Sequence, residues 1–104
     1  MLTEKDYCDY ETCVALKELG FPIDWFEDET YHENSTNILL YEAQKWLRKE
    51  KHLHIEVRLY CNMWYAYEVK EAEGKVIAEG SVFPTYEEAL STAVYMATEH
   101  LKGK

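Results

Sequence analysis

From His52 to Tyr60 the chain alternates without a break. Leu53, Ile55, Val57 and Leu59 take one parity; His52, His54, Glu56, Arg58 and Tyr60 take the other. That period of two is the pattern of a strand with one face on a core and one face toward water. Only Cys61-Asn62-Met63 separates it from Trp64-Tyr65-Ala66-Tyr67-Glu68-Val69-Lys70, a run rich in β-formers. Glu71-Ala72-Glu73-Gly74-Lys75 then turns into a third strand from Val76 to Phe83. Connections this short cannot cross over a sheet, so the three strands form an antiparallel meander. A meander with one apolar face needs that face covered, and the rest of the chain must supply the cover.

The cover is helical. Thr85-Tyr86-Glu87-Glu88 is a capping-box sequence, with Thr85 as N-cap and Glu88 placed to reach back. Behind it Ala89, Ala93 and Ala97 recur every four residues beside Leu90, Val94 and Leu101, a slim face that can lie close on a sheet. Upstream of the meander, Leu39, Ala43, Trp46 and Leu47 follow helical spacing and predict a helix over 39–51 with Trp46 and Leu47 in the core. Asp9 caps another over 9–20, whose stripe is Cys13, Leu16 and Leu19, and Gly20 before Phe21-Pro22 stops it. The expected architecture is α+β: a three-stranded antiparallel meander with helices packed on one face, in the order α-(loop)-α-β-β-β-α. One domain spans 1–104, with a helix at 9–20, an acidic loop at 21–38, a helix at 39–51, the meander at 52–83 and a helix at 85–102.

The charge balance narrows the function classes. Lys and Arg number 11 against 20 Asp and Glu, a net charge of -9. Almost all of that imbalance lies in the first third of the chain, where Lys5 and Lys17 are the only cations. Asp24, Glu27, Asp28 and Glu29 fall in the expected loop; long loops inside compact domains tend to be functional or disordered. They read as a solvated segment or as an electrostatic docking site for a basic partner. Their spacing lacks the alternating ligands and central glycine of a helix–loop–helix calcium site. Cys8, Cys13 and Cys61 are odd in number and form no C-x-x-C, so reduced thiols and a cytoplasmic setting are expected. Nothing near Met1 reads as a secretory signal, and no apolar run approaches the roughly 18 residues of a membrane span. Phosphate-binding glycine loops, zinc-protease motifs and serine-nucleophile elbows are all missing.

The outward strand face is the other candidate site. His52, His54, Arg58 and Tyr60 stand there, joined by Tyr65 and Tyr67 or by Trp64 according to the register. His52 and His54 have the spacing of a metal-ligand pair, but a structural site needs four ligands and the sequence does not supply them, so no metal and no cofactor are expected. Aromatic residues and Arg on an open sheet pair across strands, form protein interfaces or stack nucleic-acid bases. Cys61 beside a histidine is the nearest approach to a nucleophile with a base, and nothing in the sequence requires that contact.

Three segments carry a resemblance. They are Tyr10-Glu11-Thr12 through Leu19-Gly20-Phe21, then Tyr41-Glu42-Ala43-Gln44-Lys45-Trp46-Leu47-Arg48 running into His54-Ile55-Glu56-Val57, and Phe83-Pro84-Thr85-Tyr86-Glu87-Glu88-Ala89-Leu90. Together they resemble short uncharacterised proteins encoded by phages and mobile elements of gut bacteria. The matching positions are caps, a helix stop and core aromatics, so the resemblance implies a fold and no assigned activity. The helix–meander–helix order is also similar to the double-stranded-RNA-binding fold. That fold grips phosphate with lysines at the start of its last helix; Glu87 and Glu88 stand at that place here and would repel it.

These observations lead to an expectation of a small non-catalytic accessory protein acting through protein–protein contact or self-association. A nucleic-acid-binding module using the aromatic face, or an enzyme of unrecognised class, are the alternatives. No membrane partner is expected.

Overall fold

A computed structural model of the chain describes residues 7–21, 38–60 and 62–103. The elements are α1 (Tyr10–Glu18), α2 (Leu40–Glu50), β1 (Leu53–Tyr60), β2 (Trp64–Glu71), β3 (Val76–Phe83) and α3 (Tyr86–Lys102). The order is α-α-β-β-β-α around one antiparallel sheet, β1-β2-β3. The expected acidic loop, apart from its end residues Phe21 and Ile38, lies outside the described residues; this includes Asp24, Glu27, Asp28 and Glu29, and Cys61 lies outside them too.

Local chemistry sets the helix ends. Asp9 Oδ1 accepts from the Thr12 N–H at 2.9 Å and so satisfies one of the four donors that a helix start leaves open. At the far end of α1 the Phe21 N–H donates to Leu16 O and the Gly20 N–H to Lys17 O, the paired bonds of a Schellman stop. Gly20 makes this geometry with φ at +106°, and open space surrounds the position a Cβ would take. Gly20→Ala should therefore cost about 1–2 kcal/mol through backbone strain alone, with no steric contribution. Urea denaturation checks the figure. For α3, Thr85 Oγ1 accepts from the Glu88 N–H at 3.1 Å, which is the N-cap half of the expected box. An antiparallel bridge between Tyr7 and Leu39, with Cys8 N–H donating to Ile38 O at 2.8 Å, ties the start of α1 to the start of α2.

The core lies between the helices and one face of the sheet. Leu16, Leu47, Leu53, Val69 and Val94 are its fully buried large side chains. α3 crosses all three strands, and Ala89, Ala93 and Ala97 sit at 0% exposure beneath them, as a slim face allows. Trp46 departs from expectation. It is half-buried, packed edge-on against Phe21 at 5.3 Å between ring centroids, with the Lys51 ammonium 5.5 Å from the Trp46 ring centroid. Its large ring sits at the margin of the helix layer, while Leu40, Ala43 and Leu47 of the same helix reach the core.

Among the described residues two buried side-chain polar atoms have no hydrogen-bond partner, Thr12 Oγ1 and His100 Nε2. Thr12 is 1% exposed and its Oγ1 makes no hydrogen bond. Leaving a hydroxyl dry costs on the order of 1 kcal/mol or more, and valine has the same shape without that cost. The cap bond uses the Thr12 backbone and survives the change. Thr12→Val should raise the unfolding free energy by roughly 1 kcal/mol; a lowered denaturation midpoint would contradict the account.

Candidate interaction surface

The register decides which aromatic residues share the open face. β1 and β2 pair without interruption, Tyr60 opposite Trp64, Arg58 opposite Ala66, Glu56 opposite Glu68 and His54 opposite Lys70. Residues directly opposite one another point to the same side of a sheet. The face away from the helices therefore carries His54, Glu56, Arg58 and Tyr60 with Trp64, Ala66, Glu68 and Lys70. Tyr65 and Tyr67 lie on the helix side. Tyr65 meets Tyr86 of α3 edge-on at 6.0 Å, and Tyr67 is 6% exposed beside the ring of Phe83. His52 precedes the strand, exposed and in the left-handed region at φ 58°. The structure thus brings together His54, Arg58 and Tyr60, and leaves His52, Tyr65 and Tyr67 elsewhere.

Residues that the sequence reading passed over complete the surface. Glu68 also pairs with Glu79 of β3, so Glu56, Glu68 and Glu79 form one row of carboxylates across all three strands. Like charges side by side repel, and the neighbouring cations offset them. Lys70 Nζ stands 3.2 Å from Glu68 and 3.4 Å from Glu56, and Arg58 Nη1 is 3.9 Å from Glu68. The Glu68 carboxylate, by hydrogen bond and charge, with Glu56 beside it, holds the Lys70 ammonium above the usual lysine range. Arg58 and Glu56 are open to water while Glu68 is half-buried between the cations, and solvent screening at the open partners means that these pairs order the surface more than they stabilise the fold. Glu79 has no ion pair among the described residues. A shallow depression of about 250 Å³ lies here, lined by Arg58, Tyr60, Glu68, Glu79 and Ser81, with Ala66, Tyr67 and Gly80 forming part of its wall.

The hairpin end of the sheet is apolar. Tyr60, Met63 and Leu59 are 46%, 67% and 60% exposed. Leu59 has the parity of a core residue, but the helix layer stops short of it. α2 covers about 16 Å while β1 is about 26 Å long. The signal for Trp64 was also in the sequence: across a three-residue turn the last residue of β1 faces the first of β2, which puts Trp64 beside Tyr60.

The described residues contain no group of three or more His, Cys, Asp or Glu side chains placed to hold a metal ion. Cys8 and Cys13 are buried against each other, with the Cys13 thiol 3.7 Å from Cys8 O. Hydrogen bonding from Cys13 and burial push the Cys8 thiol far above the usual range, which is the condition of an inert structural cysteine. No helix among the described residues is long and apolar enough to cross a membrane.

No known family, curated protein or solved structure matches this chain.

Proposed function

We propose that this chain is a small non-catalytic accessory protein that works by protein–protein contact through the sheet face that the described helices leave uncovered. The observation that carries the reading is the composition of that face: a central carboxylate row flanked by Lys70 and Arg58, running out to Tyr60, Trp64 and Met63. Tyrosine, tryptophan, methionine and arginine are the residue types that interfaces concentrate. A fitting partner offers a basic side chain to Glu79 and an apolar rim to the aromatic end. A reducing, cytoplasmic setting accords with this reading, supported by the odd cysteine count and absent C-x-x-C pattern.

Nucleic acid is disfavoured by the same row. Counterion release needs cations free to meet phosphate, and Lys70 and Arg58 are both engaged by glutamates.

The test compares captures from a lysate of the source cells by the wild-type chain, by Trp64→Ala/Glu79→Lys and by Tyr41→Ala, which alters an exposed residue of α2. A partner held by wild type and by Tyr41→Ala, lost from the double variant and then reconstituted with purified protein supports the proposal. An identical set on all three baits removes it.

A further inference from the structure

We propose that two copies of this chain pair through their β1 strands, antiparallel and centred on Val57, to join two three-stranded sheets into one of six strands. The proposal stands apart from the open-face reading, because β1 pairing uses the rim of the sheet and leaves Trp64 and Glu79 uncovered.

The backbone of β1 is directed for such pairing. The Glu71 N–H donates to Lys75 O at 2.9 Å, so Glu71 turns its backbone toward β3. Strand alternation gives Val69, Tyr67 and Tyr65 the same direction. Their partners Ile55, Val57 and Leu59, with Leu53 opposite Glu71, then turn their N–H and C=O groups away from β2 and out of the sheet. A separate observation agrees: Gln44 Nε2 donates to Ile55 O at 2.9 Å from α2, and so finds that carbonyl facing outward. Beyond Gln44 the rim at Val57 and Leu59 is regular strand. The opposite rim is not. β3 pairs with two register shifts, and Val82, a β-branched residue, sits at φ 69°. Bulges of that kind bend a strand away from an incoming one.

The side chains of β1 say what fits against it. An antiparallel two-fold at Val57 sets Glu56 opposite Arg58 of the second copy, and Arg58 opposite its Glu56. His54 meets Tyr60, and Val57 meets Val57. On the helix side Leu59, 60% exposed in one copy, lies opposite Ile55 of the other, and its N–H shares or takes over the carbonyl that Gln44 Nε2 holds in the single chain. Sliding the two-fold to residue 56 or 58 sets Glu against Glu or Arg against Arg. Moving it to 59 leaves only the end of the strand paired, and to 55 crowds the two α2 helices where Gln44 already sits. The strand is thus complementary in charge and shape to itself at one register, which favours a second copy over an unrelated strand.

Sedimentation velocity and native mass spectrometry on the full chain test this, from micromolar to several hundred micromolar. Glu56→Arg and Arg58→Glu change side chains 58% and 63% exposed, and far-UV circular dichroism confirms that each variant folds. Wild type should dimerise. Each variant alone should bind itself at least about tenfold more weakly, because like charges then face each other twice. Mixed one to one, the two should form a heterodimer, with Arg against Glu at both charged pairs. Trp64→Ala/Glu79→Lys should dimerise like wild type, so this proposal and the open-face reading fail separately. A wild-type chain that stays monomeric throughout overturns the proposal, and so does a dimer indifferent to both charge changes and to mixing.

Discussion

Leu47→Ala should lower the unfolding free energy by about 2–5 kcal/mol, a large part of the 5–15 kcal/mol typical of a whole domain. Leu47 is 0% exposed and belongs to the cluster that includes Leu16, Leu53 and Val94. Truncation removes buried methyl groups and leaves a cavity that α2 cannot close, because Gln44 fastens that helix to β1 and Phe21 braces its Trp46. The thermal midpoint should fall by about ten degrees or more in a chain this size. Trp46→Ala supplies the contrast. Its ring is larger but half-buried at the layer's margin, so its truncation should cost less. Equal or reversed losses in a urea titration would show that the helix layer packs on Trp46 instead.

Gly80→Ala should cost about 1–3 kcal/mol, against the usual direction of that substitution in a strand. Glycine in a strand interior ordinarily weakens it, and alanine restores about 0.5–1 kcal/mol. Here Gly80 lies opposite Tyr67, and an added Cβ would come within 2.7 Å of Tyr67 Cε2 and 3.4 Å of Phe83 Cε2. Tyr67 is 6% exposed and its ring has little room to retreat. The expectation is sharpest as a cycle: in a Tyr67→Leu background, which lacks the ring edge, Gly80→Ala should become neutral or stabilising. A cost that stays the same in both backgrounds would place the strain somewhere other than the ring.

Sequence pattern carried the architecture well because each element has a local cause. Strict alternation specified β1, Asp9 and Thr85 specified helix starts, and Ala89, Ala93 and Ala97 specified the side of α3 that approaches the sheet. What it could not carry was anything set by pairing between strands. Whether Tyr65 and Tyr67 or Trp64 share a face with Tyr60 depends on register, which the short turn and the unbroken β1–β2 ladder decide together. The two irregularities in β3 have no pattern of their own; Gly80 beside Ser81 and Val82 marks the place only once Tyr67 is known to lie across it. The carboxylate row is invisible along the chain, since Glu56, Glu68 and Glu79 become neighbours only when three strands are laid side by side. Leu59 shows the same limit from the other direction. Parity assigned it to the core, yet it stands 60% exposed at the hairpin end.

The irregular third strand has a consequence for the solubility of the chain. A sheet with two straight rims can recruit copies on both sides, and nothing then terminates the fibril that grows from it. Here the kinks near Ile77 and Val82 blunt one rim, so under the proposed β1 pairing recruitment would have a single direction and end when that one site is taken. Straightening β3, by deleting a bulged residue to restore an even ladder, would turn a self-limiting sheet into one free to propagate.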